Sequence, residues 1–129
     1  ISKDALKIAK KNYPEIKFLQ GSVYDLDFRN SSFDLVMCCE TLEHLEKPKI
    51  ALEEFRRVSK KYILLTIPNQ PLFRISNLLL LKYVTNLGDF PTHLHSWTKS
   101  KFIELLKPQF KIVKIKTSYF WNIFLLRKS

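Results

Sequence analysis

The residues with most chemistry to offer lie in one run, Cys38, Cys39, Glu40, Thr41, Leu42, Glu43 and His44. An imidazole titrates near neutrality and serves as a general base, and a neighbouring carboxylate orients it. His44 with Glu43 or Glu40 offers that pair; the plainer role for His44 is to cap or pack the start of the next helix. Downstream, Phe90 to Trp97 holds His93, His95 and Trp97 in a loop, where an aromatic ring beside two imidazoles suits a planar ligand or simply packs the following helix. Carboxylates with imidazoles also suit Mg²⁺, Mn²⁺ or Zn²⁺. Spacings of three and four residues converge only on a helical turn, and the reading without a metal is the one adopted from sequence.

Something must deliver these groups to one place. Phe33 to Cys38 is a short apolar run that reads as a strand buried on both faces, the kind parallel sheets need. Ending such a strand in ionisable residues puts them at the carboxyl edge of a sheet, where open α/β folds hold ligands. Neighbouring strand residues point to opposite faces, so Cys38 and Cys39 are read as reduced thiols in a cytoplasmic protein rather than a disulfide.

The remaining elements follow from pattern. Ser2 is placed to cap a helix with Ala5, Ile8 and Ala9 at helical spacing, and Ile16 to Gln20 reads as a short strand before a Gly21-Ser22 turn. Tyr24 to Ser32 is a polar loop anchored by Leu26 and Phe28. Pro48 opens a helix with Ala51, Leu52, Phe55 and Val58 as its apolar stripe and Glu53, Glu54, Arg56 and Arg57 toward water. Tyr62 to Ile67 is a second central strand. Leu72 to Leu87 reads as a helix, and Arg74, Asn77, Lys82 and Asn86 within it exclude a membrane span. Thr98 caps a helix carrying Phe102, Leu105 and Leu106, closed by Pro108. Phe110 to Thr117 and Tyr119 to Arg127 are joined so briefly that they pair antiparallel, the second and more apolar one lying inside.

Composition narrows the class. The 129 residues suit one domain, 46% hydrophobic and 26% charged, which is ordinary for a globular protein. With two glycines only, Gly21 and Gly88, a phosphate-cradling glycine loop is excluded. The formal charge of +10 is spread along the chain, which favours a solvated basic surface over nucleic-acid binding.

Strands and helices in alternation, then an antiparallel pair, resemble the class I S-adenosylmethionine-dependent methyltransferases of the type 11, ubiquinone-biosynthesis-like group. Phe18 to Phe28 is similar to that family's third strand and adenine-side loop, Ser31 to Val36 to its fourth strand, and Glu40 to Leu45, Pro48 to Val58 and Leu65 to Asn69 to the region ending at its fifth. The resemblance implies an α/β, Rossmann-like fold over residues 1–129, N-terminally truncated because the first strand and its Gly-rich turn have no counterpart. It implies S-adenosylmethionine as cofactor, with Ser22, Val23, Cys38 and Cys39 in contact with it; Ser22 stands where the family usually has an acid. It implies methyl transfer to oxygen or nitrogen of a small molecule, with Glu43 and His44 catalytic and Glu40, His93, His95 and Trp97 toward the substrate. Glu40-x-x-Glu43-His44 and His95-Ser-Trp-Thr98 also resemble the small-RNA 2′-O-methyltransferases, which implies a metal-assisted reaction as the alternative. A non-catalytic binding or assembly role is the third reading. The family strand order, 3-2-1-4-5-7-6, would leave a gap beside Phe33 to Cys38, so the expectations are rearranged pairing, a strand swap or homo-oligomer, or a preceding segment.

Overall fold

The computed structural model describes residues 3–128. Helix α1 (Lys3–Asn12) precedes strand β1 (Phe33–Cys39), a 3-10 turn (Leu42–His44), α2 (Pro48–Val58), β2 (Ser59–Pro68), α3 (Gln70–Leu79), a second 3-10 turn (Val84–Asn86), α4 (Lys99–Leu106), β3 (Phe110–Thr117) and β4 (Trp121–Lys128). The sheet order is β1-β2-β4-β3; β1 and β2 are parallel, and β4 runs antiparallel to both its neighbours. Parallel neighbours need a crossover, which α2 supplies. The second strand of the terminal hairpin lies inside the first, as its higher apolar content predicts. Ser2, read as the cap of α1, lies outside the described residues.

One face of the sheet is covered. Ala51, Leu52 and Phe55 of α2 and Phe102 and Leu106 of α4 pack on Cys38, Ile63, Leu65, Ile67, Phe124 and Leu126. The Phe102 ring meets Phe124 edge-on at 5.0 Å between centroids and Trp97 at 5.3 Å. Thr98 caps α4 through a hydrogen bond that its hydroxyl accepts from the Lys101 amide, 3.4 Å. The other face is bare: Leu35 and Met37 are 46% and 59% exposed. This corrects the expectation that β1 is buried on both faces; among the described residues only one layer of helices exists to cover it.

Three further expectations change. Ile16 to Gln20 forms no strand, because a strand is stable only on a partner's ladder and the edge of β1 is not paired to it. The sheet therefore closes as four contiguous strands with no internal gap. The helix expected over Leu72 to Leu87 stops at Leu79, where polar side chains capture the returning chain. Arg74 Nε donates to the Leu87 carbonyl (3.0 Å) and Asn77 Nδ2 to that of Gly88 (2.9 Å). Gly88 has φ +78° and a Cβ there would lie 2.3 Å from the Arg74 carbonyl oxygen, so glycine is required at this return.

Glu54 and Arg57, expected in water, instead clamp the Tyr24 to Ser32 loop. Arg57 donates to the carbonyls of Leu26 (2.7 Å) and Phe28 (2.6 Å) and to both oxygens of Glu54, which also accepts from the Leu26 amide at 2.8 Å. Bonds from Arg57 and then from the Leu26 amide hold the Glu54 carboxyl down to about 2.

Two measurements follow from this architecture. Phe102→Ala removes a fully buried ring and is expected to destabilise by about 3–5 kcal/mol in urea unfolding. For Glu54, a folded-state pKa lowered from 4.5 to about 2 contributes stability that is full above 4.5 and is lost as pH falls through about 2. The wild type is expected to lose melting temperature across that window more steeply than Glu54→Gln; identical slopes would show that the clamp carries no charge.

Candidate active site

The site begins where β1 stops. Glu40 takes a left-handed backbone, φ 47°, and is held there by β2: its amide donates to Thr66 Oγ1 (3.2 Å), whose hydroxyl donates to Glu40 Oε1 (2.7 Å). Thr41 Oγ1 donates to the Cys39 carbonyl, 2.9 Å. The chain then winds into the 3-10 turn, with the His44 amide bonded to the Thr41 carbonyl at 3.0 Å. This tight turn buries Leu42 in the core and Glu43 beside it.

Glu43 is 1% exposed, and neither carboxylate oxygen has a hydrogen-bond partner. Its carbonyl, by contrast, accepts from the amides of Leu94 and His95 at 2.8 and 3.1 Å, which ties the Phe90 to Trp97 loop to the turn. Burial pushes the Glu43 carboxyl upward; its own amide pulls it back, Glu40 adds to the rise, and His44 and His93 oppose it. His44 Nδ1 lies 2.9 Å from the Thr92 carbonyl and 3.1 Å from Thr92 Oγ1, and His93 Nδ1 lies 2.7 Å from Asp89 Oδ1. The two imidazole rings are 4.9 Å apart. Glu43, His44 and His93 each bring one donor atom within 4.8 Å of the others.

The other expected site residues divide. Glu40 is committed to Thr66 and does not orient His44. His95 turns away from His93: its Nε2 donates to the Leu45 carbonyl at 2.9 Å, and its ring stacks on Trp97 at 4.7 Å and 9°. That pair lines a separate cavity of about 460 Å³ with Lys47, Pro48, Ile50 and Leu105. Ser22 and Val23 line a cavity of about 290 Å³ together with Asp25, Asp27 and Phe28. The Ser22 hydroxyl already accepts from the Tyr24 amide, 3.2 Å. Cys38 is packed in the core, and burial pushes its thiol up to about 11 against a lowering hydrogen bond with Thr41. Cys39 is exposed.

Sequence reasoning did not single out Asp89 and Thr92, which orient the two histidines, or Asp25 and Asp27. The Asp89–His93 spacing of four residues was the available signal for the first.

The profile of a family described as "Methyltransferase domain" matches residues 1–65, half the chain and the part that holds the acidic turn. The chain belongs to this methyltransferase family. Demethylmenaquinone methyltransferase of Renibacterium salmoninarum is 40% identical over 55 residues, which is 43% of this chain and 23% of that protein. The chain thus matches about a quarter of the length of its curated relatives. Among solved structures, a protein of Pyrococcus horikoshii superposes with a TM-score of 0.76 at 16% identity, over 100% of this chain and 69% of that one. Magnesium protoporphyrin IX methyltransferase from Synechocystis PCC 6803, solved with bound S-adenosylhomocysteine, superposes at 0.72 and 16% identity over 100% and 62%. These likenesses show the Rossmann-like class I methyltransferase fold. Among the described residues no helix is long and apolar enough to cross a membrane.

The two adjacent thiols give a direct check on the site. A thiol held near 11 is almost wholly protonated at neutral pH and unreactive, so alkylation of the folded protein is expected to modify Cys39 and spare Cys38. Fragment-ion mass spectrometry separates the two, and equal modification would refute the burial of Cys38.

Proposed function

We propose that the methyltransferase to which this chain belongs moves a methyl group from S-adenosylmethionine to an oxygen or nitrogen of a small molecule. The observation that carries this reading is the meeting of Glu43, His44 and His93 beyond the carboxyl end of β1, on a chain of this family. The relative from Renibacterium salmoninarum, by its name, acts on demethylmenaquinone, which supports a small acceptor here.

Bound S-adenosylmethionine would supply an electrophilic methyl whose departure leaves a neutral thioether, the sulfur keeping the electron pair of the broken bond. Positioning does most of the work in such an in-line displacement. An adenine needs apolar walls and an acceptor for its amino group. The cavity beside Ser22 fits both needs, with Val23, Leu26 and Phe28 as walls and Asp25 and Asp27 as acceptors. The clamp from Glu54 and Arg57 keeps that loop in place.

The acceptor loses a proton as the new bond to carbon forms. His44 is the residue to take it: its Nδ1–H is held by the Thr92 carbonyl, which leaves Nε2 with the lone pair. The Glu43 carboxylate beside it stabilises the resulting imidazolium. An edge like that of β1, unpaired among the described residues, is where the family's Gly-rich strand would complete the cofactor site.

Calorimetry with S-adenosylhomocysteine on the intact protein tests the reading. Binding is expected, unchanged in His44→Ala and weakened about tenfold or more when Asp25 and Asp27 are both replaced by Ala. Against an acceptor with a hydroxyl, His44→Ala is expected to lower kcat by about 10²–10⁴ at unaltered cofactor affinity. Absence of S-adenosylhomocysteine binding in the folded wild type would overturn the proposal.

A further inference from the structure

Helix α3 is turned inside out. Residues three and four apart share one face of a helix. Gln70, Phe73 and Asn77 face the protein: Gln70 is buried, the Phe73 ring lies 6.0 Å from that of His93, and Asn77 Nδ2 donates to the Gly88 carbonyl at 2.9 Å. Leu72, Ile75 and Leu79, at the same spacing, are exposed, and Leu79, Leu80 and Leu81 stand 79%, 66% and 83% open to solvent. A surface helix ordinarily turns its apolar stripe to the core. Contiguous apolar surface facing outward marks an interaction site. We propose that Leu72, Ile75 and the tip from Leu79 to Lys82 dock on a bilayer surface that carries anionic headgroups.

The backbone of the tip suits an apolar medium, where every amide must be satisfied from within the chain. The amides of Leu80, Leu81 and Lys82 donate to the carbonyls of Ser76, Leu78 and Asn77 at 3.1, 3.0 and 2.7 Å. The ten residues of α3 rise about 15 Å, half of the roughly 30 Å hydrocarbon layer. The helix therefore lies in the headgroup region with its apolar face about 5–10 Å deep.

Charge selects the lipid. From residue 55 to residue 103 the chain has one acidic residue, Asp89, and it is turned inward to His93 and Ser96. Lys82 is exposed at the tip, where its stem lies along the leucines while its ammonium reaches a lipid phosphate. The chain as a whole carries +10, and each cation held near an anionic surface strengthens binding. A protein partner fits this surface less well, because protein interfaces are anchored by Trp, Tyr and Arg in fixed pockets and leucine is under-represented there. Successive side chains on one helical turn diverge by about 100°, which a fluid apolar layer accommodates.

Docking stands apart from methyl transfer. Only its consequence rests on the proposed function: with Phe73 against His93, a docked α3 holds the site beside the bilayer, so that an acceptor dissolved in the lipid reaches it.

The test is cosedimentation of the intact protein with sucrose-loaded vesicles, without S-adenosylmethionine. One set is pure phosphatidylcholine, the other equal parts phosphatidylcholine and phosphatidylglycerol. The wild type is expected to favour the mixed vesicles. Joint replacement Leu79→Ser, Leu80→Ser and Leu81→Ser is expected to weaken that binding about 100-fold or more. Lys82→Gln is expected to weaken it about fivefold on mixed vesicles and to change nothing on neutral ones. Met37→Ser, on the bare face of the sheet, is expected to retain it. Circular dichroism identifies a triple variant that has not folded; Leu81→Ser alone then decides, with an expected loss of about tenfold. A folded wild type that stays in the supernatant with both vesicles would overturn the inference, as would equal binding to both or binding that the leucine variants keep. A dimer in sedimentation velocity that the leucine variants dissolve would assign the surface to a second copy and overturn it too. Absence of S-adenosylhomocysteine binding bears on the proposed function and leaves vesicle binding untouched.

Discussion

Glu40 adopts φ 47°, a left-handed backbone that costs a residue with a Cβ roughly 1–2 kcal/mol. The bonds from Thr66 hold it there, and they exist because β1 and β2 are parallel and in register, with Cys39 opposite Thr66. That register decides where the strand ends. A strand continued by one residue would carry Leu42 and Glu43 to different faces and break the 3-10 turn. The rest of the site depends on this stop: Leu42 fills the core, Glu43 is drawn in with it, and the Glu43 carbonyl anchors the loop that brings His93. A residue with the chemistry of a catalytic carboxylate, Glu40, is therefore used as a structural pin.

The same parallel register explains how a one-layer core is enough to hold the site. Ile63, Leu65 and Ile67 of β2 and Phe124 and Leu126 of β4 are buried toward α2 and α4, and that side carries the 3-10 turn. The bare side carries Leu35 and Met37 with Leu64, Ile123 and Leu125 half-covered. Covered and bare faces alternate residue by residue, which is the pattern of a sheet with helices on one side only. The site lies at the strand ends on the packed side, where side chains are fixed by contacts that do not involve the bare face.

Much of this was legible in the sequence because it rests on local pattern. The strand at Phe33, the α2 stripe, the Thr98 cap and the inside position of the last strand follow from periodicity and capping chemistry. The missing strand at Ile16 to Gln20 was not legible, since a short segment with Ile16, Phe18 and Leu19 as its apolar residues reads the same with or without a partner ladder. The clamp was hidden too: Glu54 and Arg57 look like an exposed helical pair, and only the loop folded over α2 makes them an anchor. The sequence places His93 and His95 together on the substrate side. Two residues apart on extended chain they would share a side, but the Leu94 and His95 amides both turn to the Glu43 carbonyl, and the imidazoles part.

A carboxylate 1% exposed and without a hydrogen bond is an expense that packing alone does not justify. An apolar residue of similar size would fill the same space without desolvating a charge, and replacements of that kind are often neutral or stabilising. The fold tolerates Glu43 because His44 and His93 stand beside it and oppose the rise that burial imposes on its carboxyl. Each ring is held from its far side, His44 by Thr92 and His93 by Asp89, with Ser96 donating to that carboxylate in turn. The buried carboxylate and the imidazoles beside it are therefore fixed by the same turn and loop, and the position of one sets that of the others.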